Sequence, residues 1–249
     1  MIKFLNRAVG KFNYKLVKNE SEIAPDLLAD GDYMSLYHFC KPFTMTSSER
    51  LFSLYQSVKY IIKNSIPGDF VECGVWKGGS AMMMAKVLLY LGVKDRKIWL
   101  YDTYEGMPPP STADKDFSGE EAAQLLDNAD KSDSNSVWCY SSLDEVKKNL
   151  MSTDYPMENI SFIQGKVEDT IPEHLPKAIA LLRLDTDWYE STLHEMKFLY
   201  PNLIEKGILI IDDFGHWVGA KKAILQYFEE NSVNPLIHRI DYTGRIVIK

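Results

Sequence analysis

The feature that most constrains this chain is that four separate apolar runs carry an acid at or just after their C-terminal end. They are Phe70–Cys73 with Glu72, Lys97–Tyr101 followed by Asp102, Ile179–Leu184 followed by Asp185, and Gly207–Ile211 followed by Asp212 and Asp213. Each run has strand length and strand composition. Between them lie stretches of helical period. Leu51, Leu54, Tyr55, Val58, Ile61 and Ile62 mark one apolar face behind the helix start Ser47-Ser48-Glu49-Arg50. Further helices are predicted over 80–91, 143–150, 191–200 and 219–230. Ile160–Gln164 reads as another strand, and 236–240 with 245–248 as a hairpin around Thr243-Gly244. The alternation predicts an α/β fold: a mostly parallel seven-stranded sheet with helices on both faces and a terminal antiparallel hairpin. In such a sheet ligands bind beyond the carboxyl ends of the strands, so the acids are expected in one crevice.

Two segments stand outside the alternation. Residues 1–45 lack strong periodicity and read as an N-terminal extension capping the acceptor side of a domain that spans 46–249. Its Lys3, Arg7, Lys11 and Lys15 read as a solvated helix face. Residues 103–136 are rich in Pro, Ser, Asp and Gly, with a short helical stretch, and are expected to form a lid beside the site. Met82, Met83 and Met84 read as core filling. The net charge of -7 argues against a nucleic-acid substrate. Cys40, Cys73 and Cys139 form no metal-binding pattern, so free thiols, a reducing compartment and cytoplasmic residence are expected. No apolar run is long enough for a signal peptide or membrane span. Self-association into a homo-oligomer is left open.

The turn Glu72-Cys-Gly-Val-Trp-Lys-Gly-Gly-Ser80 joins a strand to a helix. Glycine there lets backbone approach a ligand, and the helix start supplies free N–H groups. The pattern is not GxGxxG, and an acid in its first position suits a cationic amine better than a pyrophosphate. S-adenosylmethionine fits: Glu72 would take its ammonium, Ser80 and nearby amides its carboxylate, and Asp102 its ribose hydroxyls. Thr103, beside Asp102, joins this cofactor set. The competing reading makes Glu72 and Asp102 turn or capping acids.

Leu181-Leu-Arg-Leu-Asp185-Thr-Asp187 and Ile208-Leu-Ile-Ile-Asp212-Asp213 end in acids that would repel unless something positive lay between them. Oxygen-only ligands point to a hard cation, Mg²⁺ most naturally. Asp185, Asp212 and Asp213 are the expected ligands, with Asp187 ranked below them. A divalent ion would acidify an acceptor hydroxyl, and Asp185 would accept its proton. The competing reading makes Asp187 and Asp213 helix N-caps. Phe214-Gly-His216-Trp217, directly after the metal acids, is expected to line the acceptor pocket.

The chain resembles the TylF/MycF-type macrocin O-methyltransferases. The matching stretches are Asp69–Ser80, Tyr101-Asp-Thr-Tyr-Glu-Gly-Met-Pro108, Gly165-Lys-Val-Glu-Asp-Thr170, Arg183-Leu-Asp-Thr-Asp-Trp-Tyr-Glu-Ser-Thr192 and Ile211-Asp-Asp-Phe-Gly215. The resemblance implies a class I, Rossmann-like methyltransferase fold and Mg²⁺-dependent methylation of a hydroxyl on a sugar or glycosylated small molecule. It implies cofactor contacts from Glu72, Gly74 and Asp102, and an adenine end near Val167, Glu168 and Asp169. It places the metal on Asp185, Asp212 and Asp213, with Asp185 the general base. Thr186 and Trp188 depart from the family, which often has Gly and a smaller aliphatic residue there. A haloacid dehalogenase-type phosphatase is the rival enzyme, since Asp185-Thr-Asp187 resembles its nucleophile motif. Tyr189 stands where Thr or Val belongs, and the two acid motifs are only 27 positions apart. A non-catalytic cofactor-binding protein is the remaining alternative.

Overall fold

The computed structural model describes residues 23–131, 133 and 136–249. The basic residues of the predicted N-terminal helix face, Lys3 to Lys15, lie outside this range. Helices α1 (Pro25–Ala29) and α2 (Gly31–Cys40) lead into α3 (Ser48–Lys63). The Ser47 side chain caps α3 by accepting from the Arg50 amide, at the predicted start. Then follow β1 (Asp69–Cys73), α4 (Gly79–Tyr90), β2 (Ile98–Asp102), α5 (Ala122–Asn128), α6 (Leu143–Met151), β3 (Ile160–Gln164), α7 (Val167–Thr170) and β4 (Ile179–Leu184). The chain closes with α8 (Tyr189–Phe198), β5 (Leu203–Ile211), α9 (Val218–Glu230), β6 (His238–Arg239) and β7 (Arg245–Ile248).

One seven-stranded sheet runs β3-β2-β1-β4-β5-β7-β6. Strands β1 to β5 pair in parallel, and β7 is antiparallel to both β5 and β6. The hairpin forms, but its first arm is two residues long, with Leu236 left 81% exposed. One core lies between the sheet and α2, α3 and α4, and holds the buried Met82, Met83 and Met84. The other packs the opposite face under α8 and α9. The buried Tyr33, Tyr37 and Cys40 place α2 within the first core. Strand β4 is buried at all six positions, as a central parallel strand should be, yet one of those positions is Arg183.

The strand order reverses between β1 and β4, which opens a crevice at their carboxyl ends. There the two turns touch. A Cβ on Gly74 (φ 81°) would lie 2.0 Å from the Asp185 carbonyl oxygen, so only glycine fits. The 103–136 segment docks on the same end of the sheet. The buried Asp114 accepts from the Tyr189 amide at 2.7 Å, and the Trp188 indole donates to the Pro108 carbonyl at 2.9 Å. Ala122 and Leu126 of α5 pack with Trp188, Trp217 and Ala220 as a small third core.

Candidate active site

A cavity of about 410 Å³ opens at the carboxyl ends of the strands. Its size is ordinary for a small-molecule site. Gly74, Ser80, Asp102 and Thr103 line one side, joined by Val167 and Glu168. Asp185, Asp187, Asp212 and Asp213 line the other. Two predicted residues do not face it. Asp169 borders a smaller neighbouring pocket, and Glu72 is 1% exposed behind the wall.

Glu72 therefore has a different partner from the expected ammonium. Its Oε1 accepts from Arg183 Nη1 at 2.6 Å, while Oε2 is buried without a partner. Burial pushes its carboxyl up to about 7 against the pull of Arg183. Asp102 does face the cavity, but it also secures the turns around it. Its Oδ2 accepts from the Val75 and Trp76 amides at 2.6 and 3.2 Å, and its Oδ1 from the Tyr104 amide at 2.7 Å. Ser80 sits in the first turn of α4, where unpaired N–H groups favour an anion.

Two arginines that the sequence reading left without a role organise the acidic side. Arg183 Nη1 lies 2.7 Å from Asp185 Oδ2, and Nη2 lies 2.8 Å from Asp212 Oδ1. Nη2 also donates to Thr46 Oγ1 at 3.1 Å. Arg50, from α3, pairs with Asp212 and reaches Asp241 at 3.0 Å. Asp212 is thus turned toward two guanidinium groups. The acids that converge are Asp185, Asp187 and Asp213, each offering an oxygen within 4.8 Å of the others.

This trio is electrostatically incomplete. Asp187 and Asp213 lie side by side, and neither is ion-paired with a basic side chain among the described residues. Burial, followed by the charge of Asp185, pushes Asp187 up to about 7. Burial, followed by the Asp187 and Asp212 charges, pushes Asp213 well up. Burial also raises Asp185, which Arg183 opposes. Asp187 has φ 64°, a left-handed conformation that Asp tolerates better than most residues. The capping explanation fails. Trp188 and Trp217 occupy the N-cap positions of α8 and α9 without capping them through their own side chains, and the first amide of α8 is met by Asp114 instead.

At the mouth, His216 lines the cavity, with its ring centroid 5.6 Å from that of Phe117 and 6.0 Å from that of Tyr242. Burial lowers the His216 pKa, which favours the neutral ring at pH 7. Trp217 also lines the cavity but is 6% exposed and packs edge-on against Trp188. It supports the docked 103–136 segment as well as facing the site.

The profile of the macrocin O-methyltransferase (TylF) family matches residues 30–248. The chain belongs to that family. It is 32% identical over 201 residues to demethyldecarbamoylnovobiocin O-methyltransferase of Streptomyces niveus, covering 81% of this chain and 73% of that one. It is 26% identical over 250 residues to mycinamicin III 3''-O-methyltransferase of Micromonospora griseorubida, covering 98% and 93%. Among solved structures, the O-methyltransferase NovP superposes with a TM-score of 0.70 at 29% identity, over 83% of this chain and 82% of that one. A calicheamicin methyltransferase shares the fold, with a TM-score of 0.60 at 15% identity over 94% and 99%. The chain is an S-adenosylmethionine-dependent O-methyltransferase with a class I, Rossmann-like fold. The phosphatase reading of Asp185-Thr-Asp187 falls with that assignment. Among the described residues, no helix is long and apolar enough to cross a membrane.

Proposed function

We propose that this enzyme methylates a sugar hydroxyl on a glycosylated small molecule, with a divalent cation, Mg²⁺ by donor chemistry, held at the acidic side of the cavity. The convergence of Asp185, Asp187 and Asp213 within 4.8 Å carries the metal reading, because half-buried carboxylates gathered on one cavity wall are a natural seat for a hard cation. Asp185 and Asp213 are common to this trio and to the set expected from the sequence. Asp212 would complete the latter by leaving Arg50. When bound, the ion supplies acidification of an acceptor hydroxyl.

The chain's own residues do the rest. Ser80 with the α4 N-terminus takes the cofactor carboxylate, Asp102 with Thr103 takes the ribose, and Val167 with Glu168 flanks the adenine. Arg183 holds Oδ2 of Asp185, so Oδ1 is the oxygen that accepts the acceptor's proton. The relatives' names specify glycosylated small molecules, and the rim agrees with such a ligand. Phe117 is 65% exposed and Tyr242 48% exposed beside His216, which suits stacking on a sugar ring or its aglycone. Phe43, Thr44 and Met45 of the N-terminal extension line the same cavity, with Phe43 and Thr44 against Gly79 at the start of α4. The 103–136 segment is the lid in this reading, since Thr103, Gly106, Met107, Pro108 and Ser136 line the cavity.

The test is methyl transfer to a panel of glycosides, read by mass spectrometry, in chelator and after Mg²⁺ is restored. Chelation should abolish product and Mg²⁺ should return it. Full activity in chelator would sink the metal reading and leave the methyltransferase assignment intact.

A further inference from the structure

Glu195 projects from α8 into the protein, is 0% exposed, and has no part in the chemistry above. Its Oε1 accepts from Thr186 Oγ1 at 2.9 Å. Its Oε2 is buried with no hydrogen-bond partner. The Cys73 side chain lies beside the same carboxyl. Burial drives Glu195 well above the usual carboxylate range, which keeps it a neutral acid at neutral pH.

Both partners sit at junctions that matter. Cys73 ends β1 and immediately precedes Gly74. Thr186 lies between Asp185 and Asp187. The Asp185 amide donates to the Cys73 carbonyl at 2.9 Å, so the cofactor turn and the acidic turn abut at this point. Leucine or methionine would fill the space beneath them without burying an unpaired oxygen, which costs stability. Asp187 also needs support to keep its left-handed backbone.

We propose that Glu195 is a positioning residue whose carboxyl, holding Thr186 from beneath and lying beside Cys73, sets the Asp185–Asp187 turn against the cofactor turn. The inference rests on the metal reading only for what that turn then holds. Four variants of the full chain test it: Glu195→Leu, Glu195→Gln, Thr186→Val and the Glu195→Leu/Thr186→Val double. The readouts are backbone hydrogen exchange over 184–189, Mn²⁺ affinity by electron paramagnetic resonance, and S-adenosylhomocysteine affinity.

Glu195→Leu and Thr186→Val should each speed exchange over 184–189 and leave β2 and β3 unchanged. Each should weaken Mn²⁺ binding by about 10- to 100-fold, the range for groups that orient metal ligands from behind. S-adenosylhomocysteine affinity should change little. Glu195→Gln keeps an oxygen acceptor and should restore wild-type behaviour. The double variant should be no worse than either single one, because both remove the same contact. Wild-type exchange and Mn²⁺ affinity in folded Glu195→Leu would overturn the proposal, as would an additive double variant or a Gln variant as damaged as Leu. If Glu195→Leu does not fold, Thr186→Val decides on the same readouts. If the wild-type enzyme binds no Mn²⁺, the metal reading fails, and exchange over 184–189 alone decides the role of Glu195.

Discussion

The ends of β1 and β2 and the ends of β4 and β5 carry similar acids but settle their charges differently. On the β1–β2 side the protein supplies partners to both acids, with Glu72 Oε2 left over. Asp102 accepts from three backbone amides, and Glu72 is paired with Arg183. On the β4–β5 side Asp212 is answered by Arg50 and Arg183, but Asp187 and Asp213 face each other with no ion pair to a basic side chain among the described residues. A buried acid that its own chain neutralises is scaffolding for whatever binds next to it. One left facing other acids is open to a cation. The first half is therefore expected to be preformed, and the second to be completed by its ligand.

The largest effect expected from that contrast is at Asp185. Asp185→Asn keeps shape but removes the charge and the base. It should lower kcat by about 10²–10⁴-fold, the range for a lost general acid–base group, with S-adenosylhomocysteine affinity nearly unchanged. Equal losses in kcat and cofactor affinity would show that the two halves are not separable. On the other side, Asp102→Ala should weaken S-adenosylhomocysteine binding by about 1.5–3 kcal/mol, the range for hydrogen bonds to a charged group. Mn²⁺ affinity should not follow it. A matching loss of Mn²⁺ binding would mean that the Val75–Trp76 turn also holds the acidic side in place.

The smallest effect is on stability against pH. Asp187 is raised from 3.8 to about 7. A carboxyl raised in the folded state binds its proton more tightly than when unfolded. Its stabilising contribution is complete below about pH 3.8 and is lost as pH rises through about 7. In chelator, the Tm of the wild type relative to Asp187→Asn should therefore fall across this window, by about 2–4 °C for each kcal/mol lost. Mg²⁺ should flatten that fall. A difference that rises with pH in chelator would place the proton elsewhere.

The sheet and the four strand-end acids were legible because strand polarity alone brings those ends together. What answered the acids was not. Arg183 interrupts an otherwise apolar run, and nothing local says that it faces three carboxylates. Arg50 meets Asp212 across 162 residues of chain. Spacing ranks Asp187 below Asp212 and reveals neither its left-handed backbone nor its place on the cavity wall. The position of Glu72 in the turn motif is readable in the sequence; its burial behind Arg183 is not. The polar composition of 103–136 suggested a lid, yet Trp188, Trp217 and α5 give part of that segment a core of its own.

The contact between Gly74 and the Asp185 carbonyl bears on how such an enzyme can change its acceptor. Main chain against main chain sets the spacing between the cofactor turn and the acidic turn, and no side chain can be traded there to widen it. Variation is free at the rim, at Met45, Val137, Phe117 and Tyr242, where residues are exposed. Lineages or engineers that swap these positions would re-line the entrance for a new glycoside while the gap across which the methyl group travels stays the same.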